Sequence, residues 1–524
     1  MMFQNQDKTF SHGAVATSVP QAARIGCEVL RQGGNAIDAA VAAAAALTVC
    51  EPTSNGIGSD LFAIVWYQGQ LYALDASGPS PKGLTIEHLK AHGHEKMPTF
   101  GAINAMVPGT PAGWEALTQR FGNRSFAKNL APAAKVAQEG VLMTKTLHYY
   151  WSRAIKRYQA QNDVQAMQSF FDTFGTETKP IGSKVPLLDH AKTLKTLGEQ
   201  GSSWFYQGVL ADEMVRYLKA HGGVMAHDDL ATYQVRWVEP MKTRFRGVDV
   251  YEMPPPTQGL IALQTLGILE HSALPNNEVD QVHQMIEATK IAFKDGFNAI
   301  TDPDHLRLNP ETLLDPNNLK AQAKVIQNQA QNLDQDAAKD GGTVYLASVD
   351  KEGNMVSLIQ SNYLGFGSGM VVPGRGVAMN NRALGFSLEK EHVNALKPGK
   401  KTLHTIIPAF LMQDDLPLGP FGLMGGFMQP QGHAQVLAHI LDRGYSLQKA
   451  LDVPRWQWMK GLEVQVEPSF DPALMNALKE KGHDIRVQEE IGYFGRGQIL
   501  FLNPKTKRIH GATETRCEGT IAGY

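Results

Sequence analysis

Apolar and polar residues alternate in two rhythms along this 524-residue chain. In the first half the spacing is mostly helical. Pro20 to Arg31 and Asn35 to Val49 predict two helices separated by Gly33-Gly34. The second is Ala-rich from Ala39 to Val49, a run too short to cross a bilayer, and its small side chains predict a helix packed closely inside a core. Leu61 to Tyr67 and Leu71 to Leu74, on either side of Gln68-Gly69-Gln70, predict a hairpin. From Thr110 to about Gly223 the pattern is largely helical with polar interruptions. Val282 to Phe297 is helical again and stops before Asp302-Pro303. Pro316 to Gly342 turns polar, with Gln and Asn repeated, and predicts a solvated helix or flexible arm. Strand patterns then dominate until a helix near Gln431 to Leu441.

The change of rhythm falls at Asp340-Gly341-Gly342-Thr343-Val344-Tyr345-Leu346-Ala347-Ser348-Val349-Asp350. Two glycines end the polar arm, and a strand starts at the threonine with no turn residue after it. The strand runs to Val349, turns through Asp350-Lys351-Glu352-Gly353-Asn354 and returns as Met355 to Asn362. A mid-chain threonine has no built-in base. If the Gly342–Thr343 bond is cut, the new α-amine of Thr343 can act as base for its own hydroxyl. A β-branched residue opening a strand is also ordinary, so the local pattern alone leaves both readings open. Phe421-Gly422-Leu423-Met424-Gly425-Gly426 ends in a glycine pair whose N–H groups could approach a reacting carbonyl, or could simply make a tight turn.

Landmarks along the whole chain place these features together. They are Gly33-Gly34-Asn35-Ala36-Ile37-Asp38-Ala39-Ala40, Val107-Pro108-Gly109-Thr110, Met253-Pro254-Pro255-Pro256-Thr257-Gln258-Gly259 and Asp302-Pro303. After the Thr343 hairpin come Asn380-Asn381, Gly425-Gly426, Ala450-Leu451-Asp452-Val453-Pro454-Arg455 and the closing Ala522-Gly523-Tyr524. In this order they resemble the gamma-glutamyltranspeptidase family of N-terminal-nucleophile hydrolases. The resemblance implies an α+β fold, a four-layer αββα sandwich with two antiparallel sheets between helical layers. It also implies self-cleavage into a large subunit, 1–342, and a small subunit, 343–524, that stay associated as one structural domain. A homodimer of such processed units is allowed.

Composition narrows the remaining classes. With 43% hydrophobic and 19% charged residues the chain can bury a substantial core. Lys+Arg 49 against Asp+Glu 51 leaves a formal charge of −2, which gives no argument for nucleic acid or membrane as partner. Cys27, Cys50 and Cys517 are too few and too scattered for a disulfide framework or a Cys-based zinc site. No His-Glu-x-x-His, Walker loop or Gly-x-Ser-x-Gly elbow occurs, and Gly365-Phe366-Gly367-Ser368-Gly369 lacks dinucleotide-binding spacing. No cofactor and no metal are expected. Met1 to Pro20 lacks the basic and apolar regions of a signal peptide, so a cytoplasmic protein is expected.

The resemblance assigns roles residue by residue. Thr343 is the nucleophile, Ser361 stands where the family has a second threonine that hydrogen-bonds it, and Gly425 and Gly426 supply the oxyanion donors. Substrate contacts fall to Asn381, Arg382, His404, Thr405 and Tyr363. Several of these depart from the family pattern. Asp75-Ala76-Ser77-Gly78-Pro79 lacks the arginine that holds an α-carboxylate. Asn380-Asn381 is followed by Arg382-Ala383-Leu384-Gly385 rather than a glutamine and an acid. The serine pair before a proline becomes His404-Thr405 before Pro408. Tyr363 replaces an asparagine, with Asn362 one position earlier, a shift that reverses the face in a regular strand. The stretch from Gly385 to His404 is shorter than the usual lid, which implies an open site or one covered from elsewhere.

A pocket that loses an acid and gains Arg382 favours an anion over an ammonium. Arg382 can equally be a structural arginine paired with an internal acid. The expected activity is hydrolysis of a small carboxylate-bearing amide such as oxamate, as in an oxamate-hydrolysing branch of the family that serves purine breakdown. Hydrolysis of glutathione or another γ-glutamyl compound, transpeptidation, and a glutaryl-type acylase are the alternatives. An unprocessed, non-catalytic binding protein is the alternative of another class.

Overall fold

The computed structural model describes residues 3–4, 7–161, 165–337 and 341–524. Two seven-stranded sheets stack face to face, each antiparallel throughout. One runs, in spatial order, Thr520–Gly523, Ala14–Thr17, Gly342–Val349, Met355–Tyr363, Asp60–Tyr67, Gln70–Ala76, Arg236–Val238. The other runs Lys8–Phe10, Ile509–Thr513, Arg496–Leu502, Leu416–Met424, Ala409–Gln413, Val248–Glu252, Met241–Phe245. Both sheets mix strands from before and after residue 343, so neither part of the chain closes a sheet alone.

The hairpin that opens at Thr343 lies at the centre of its sheet. Both its faces are covered, which is why it reads as a nearly continuous apolar run. Tyr345, Ala347, Val349 and Ile359 pack between the sheets with Phe62, Phe410 and Leu500. Val344, Leu346, Val356 and Leu358 face the outer helices. Thr343 shares the parity of Tyr345 and Ala347, so its side chain belongs to the layer between the sheets.

The helix Ala36–Cys50 lies against this sheet with every residue buried. Its alanines let the neighbouring helices Pro20–Arg31 and Phe126–Glu139 approach closely. Its start is fixed by a capping box: the Asn35 side chain accepts from Ile37 N and Asp38 N, and the Asp38 carboxylate accepts from Asn35 N at 3.1 Å. On the far side, Gly259–Glu270, Glu278–Ala299 and Met428–Leu441 cover the second sheet. This is the four-layer αββα sandwich. No described helix is long and apolar enough to cross a membrane.

The polar arm is more ordered than its composition suggests. Pro316–Val325 is a helix, and Leu333–Asp336 joins Trp456–Gly461 as an edge strand. Between them, His283 Nε2 donates to Gln327 O at 2.8 Å and Lys290 Nζ donates to Gln331 O at 3.0 Å. Backbone pairing and buried donors hold the segment where composition supplies little apolar surface. Residues 338–340, which include Asp340 of the arm, lie outside the described residues.

Candidate active site

Thr343 is 1% exposed in the continuous strand Gly342–Val349, at a break in strand register. Gly342 pairs with Tyr363 and Val344 pairs with Gln360, so Ser361 and Asn362 together oppose Thr343. This is a β-bulge, which re-aims side chains where a regular strand cannot. Its exit is Tyr363, held at φ +81°. The bulge changes the expectation for the Ser361-Asn362-Tyr363 run, because alternation is suspended at that point. Ser361 stays on the Thr343 face. Asn362 turns away and accepts from Ser59 Oγ at 2.8 Å.

Ser361 is the hub of the site. Thr343 Oγ1 donates to Ser361 Oγ at 3.3 Å, and Tyr363 N donates to the same oxygen at 2.8 Å. The Ser361 hydroxyl in turn donates to Gly342 O, the carbonyl of the bond ahead of Thr343. The Thr343 hydroxyl, the Ser361 hydroxyl and the Gly342 carbonyl are thus linked through Ser361 Oγ.

Gly341 and Gly342 are clamped by close backbone approach. A Cβ on Gly341 would lie 2.8 Å from Gly426 Cα, and one on Gly342 would lie 2.8 Å from Gly365 N. Gly425 and Gly426, at φ +137° and +59°, make the turn into the helix Met428–Leu441. Gln258 fixes that turn from below, its Nε2 donating to Gly426 O at 2.8 Å and Thr405 O at 2.5 Å. Gln258 lies in the Met253–Gly259 motif, yet nothing local to it signals a contact 168 residues away.

The residues expected to touch substrate divide differently. Arg382 is 1% exposed, with Nε 3.5 Å from Asp60 Oδ2, Nη1 donating to Thr405 Oγ1 at 3.2 Å and Nη2 donating to Ser361 Oγ at 3.4 Å. Its guanidinium lies 4.4 Å from the centre of the Tyr363 ring. The arrangement found is therefore an arginine paired with an internal acid. Asn381 is spent on backbone, accepting from Leu364 N at 3.1 Å and donating to Thr99 O at 3.0 Å. His404 Nε2 donates to Asp60 Oδ2 at 2.9 Å. Burial, with the Arg382 charge beside it, pushes the His404 imidazole down to about 4, so the ring is neutral at pH 7. Asp60 itself was not anticipated from the sequence, where an acid ahead of an apolar strand carries no signal.

His190 is likewise held at about 4, and His439 and His483 at about 3, each mainly by burial. Below pH 6.5 the unfolded chain takes up protons that these native rings refuse, so stability should fall as pH drops from 6.5 towards 4. Each ring contributes about 1.4 kcal/mol per pH unit in that window. The drop in urea midpoint from pH 7.5 to 5.0 should be smaller in His439→Phe than in the wild type, and an identical drop would contradict the neutral assignment of that ring.

A cavity of about 310 Å³ lies against Gly341, Gly342 and Gly425. Its outer wall is the helix Lys145–Gln159 and the segment Gln488–Arg496, so cover comes from elsewhere than the stretch between Gly385 and His404, none of which lines it. Thr405, Arg382, Asn381 and Tyr363 do not line it either. Three arginines do: Arg153, Arg157 and Arg496, against the single acid Glu490. Arg153 pairs with Glu490 at 2.8 Å, and Arg496 lies 3.5 Å from the buried Glu51. The helix that supplies Arg153 and Arg157 was expected, but only packing shows which strand end it overhangs.

The four-layer sandwich is the fold of the N-terminal-nucleophile hydrolases among the solved relatives, and the chain is an amidohydrolase of that class. The family model for gamma-glutamyltranspeptidase matches residues 22–524, and the chain belongs to that family. It is 33% identical to the oxamate amidohydrolase proenzyme of Klebsiella pneumoniae, over 98% of this chain and 99% of that protein. It is 33% identical to the glutathione hydrolase-like YwrD proenzyme of Bacillus subtilis, over 96% of each. Among solved structures, cephalosporin acylase from Bacillus halodurans superposes with a TM-score of 0.95 at 46% identity, covering 100% of this chain and 97% of that one. Relatives made as proenzymes imply a chain cut into large and small subunits.

Proposed function

We propose that Thr343, freed by cleavage of the Gly342–Thr343 bond, attacks the amide of a small carboxylate-bearing substrate and passes its acyl group to water. The cut yields subunits 1–342 and 343–524. The Thr343 amine serves as base, Ser361 positions the hydroxyl, and the Gly425 and Gly426 N–H groups receive the oxyanion. The single observation that carries the substrate class is the excess of arginine in the cavity beside the scissile bond. Among the described residues Arg157 makes no ion pair, which leaves it available to a carboxylate. That role moves from Arg382, whose charge is engaged by Asp60. An oxamate-like substrate, a carboxylate and an amide without an ammonium, suits such a cavity, and the oxamate amidohydrolase relative supports it.

A glutaryl-type acylase is the second reading. A further cavity of about 450 Å³ shares Thr53, Tyr150 and Arg496 with the first and offers room for a larger group. The likeness to a cephalosporin acylase favours the same reading. Turnover of oxamate, a γ-glutamyl anilide and a glutaryl amide separates the cases. Exclusive turnover of the γ-glutamyl compound would defeat both readings. With the best substrate, Arg157→Ala should raise KM by about 10- to 100-fold, the loss of a charge-assisted contact. A matched amide lacking the carboxylate should be unaffected. Equal effects on both substrates would remove Arg157 from carboxylate binding.

A further inference from the structure

Arg382 is a buried cation that the proposed chemistry does not consume, yet it touches the hydroxyl that touches the bond to be cut. Ser361 Oγ has two lone pairs. Tyr363 N–H at 2.8 Å takes one, and the Thr343 hydroxyl at 3.3 Å shares the other with Arg382 Nη2 at 3.4 Å. With its acceptor capacity filled, Ser361 directs its own proton to Gly342 O. Arg382 is held in that position by Asp60, by Thr405 Oγ1 and by the Tyr363 ring beneath it. Asp60 is in turn fixed by Gly78 N at 3.0 Å and by the His404 ring.

We infer that Arg382, anchored by Asp60, is a positioning residue for self-cleavage, which orients and polarises the Ser361 hydroxyl against the Gly342 carbonyl. The inference rests on the reading that the chain cuts itself before Thr343. Thr343 Oγ1 forms a bond to the Gly342 carbonyl carbon while its proton passes to Ser361 Oγ. The Ser361 proton passes to Gly342 O, so the tetrahedral centre forms without a free oxyanion. On collapse the Gly342 carbonyl re-forms, the C–N bond to Thr343 breaks, and the proton returns through Ser361 to the Thr343 nitrogen. The resulting ester takes up water, releasing a Gly342 carboxylate and a Thr343 with free amine and hydroxyl. The Ser361 proton leaves ahead of the arrival of the Thr343 proton, so negative charge gathers transiently on Ser361 Oγ, where a guanidinium 3.4 Å away favours it. Once Gly342 has departed, Ser361 no longer has that carbonyl as acceptor. The charge of Arg382 therefore matters more to the cut than to turnover afterwards.

The test follows the appearance of the fragment beginning at Thr343 by intact mass, in the full chain, beside turnover per cleaved molecule and thermal stability. Arg382→Gln should slow self-cleavage by roughly 10- to 100-fold, at or below the usual effect of removing an oxyanion donor. Turnover per cleaved molecule should change far less. Arg382→Lys should restore part of the rate. The ammonium it introduces would face Asp60, His404, Tyr363 and Thr405, so the cleavage rate of this variant should fall as alkaline pH deprotonates it, while the wild-type rate does not.

If Arg382→Gln strands Asp60 and fails to fold, the Asp60→Asn/Arg382→Gln double variant removes both charges together and should fold yet cleave slowly. A folded double variant that cleaves at the wild-type rate overturns the inference. So does a set of variants whose cleavage merely tracks thermal stability, with no rescue and no pH dependence in Arg382→Lys. A wild-type chain that never yields a fragment starting at Thr343 defeats instead the reading on which the inference rests.

Discussion

The Thr343→Ala chain is expected to remain in one piece under conditions in which the wild type resolves into a fragment ending at Gly342 and another beginning at Thr343. The substitution removes the hydroxyl that donates to Ser361 Oγ, the group that itself donates to the Gly342 carbonyl. It also removes the group that would carry the acyl intermediate. Loss of a covalent nucleophile costs turnover by about 10⁴-fold or more, and here the missing cut would add to it by leaving residue 343 without a free amine. Intact mass of the two proteins side by side is the check. A mutant that still splits at 342–343 would transfer the role to another residue. A wild type that stays whole on prolonged incubation would remove the base on which the mechanism depends.

A large loss of stability, comparable with truncating a core aromatic, should come from replacing Asp60. Asp60→Ala strands the Arg382 guanidinium in a site where the arginine is only 1% exposed, and leaves the His404 Nε2–H and Gly78 N–H without their acceptor. Breaking a buried pair by removing one partner typically costs about 3–5 kcal/mol, because the remaining charge cannot reach water. Adding Arg382→Met should recover part of that loss by removing the stranded charge, giving a favourable coupling in a double-mutant cycle. Urea unfolding on the Thr343→Ala background measures this without the complication of cleavage. A loss below about 1 kcal/mol for Asp60→Ala alone would mean that water or a local shift already compensates the arginine.

Secondary structure was legible where one segment carries its own instructions. The spacing and capping signals of Pro20–Arg31 and Ala36–Cys50, and the turn between the strands ending at Val349 and beginning at Met355, are local properties that the structure reproduces to within a residue or so. The polar arm was less legible. Its anchors are the partner strand Trp456–Gly461 and the side chains of His283 and Lys290, none of them near it in sequence.

The family, the fold class it implies and the partnership of Thr343 with Ser361 can be read from the order of residues alone. They rest on periodicity and ordered motifs, and both survive without knowledge of what packs against what. The use of the charges, in contrast, is a property of the folded layers. Arg382 reads from its neighbours as a substrate ligand, but Asp60, far from it in sequence, engages its charge. Arg153 and Arg157 fall in a stretch that reads only as helical, yet that helix walls the cavity against Gly342. The bulge at Ser361-Asn362 is invisible to a two-residue repeat, because it is set by pairing on both sides of the strand. Short-range order is written residue by residue. The partner of a buried charge depends on which distant segments the folded layers bring together, and desolvation makes that choice decisive.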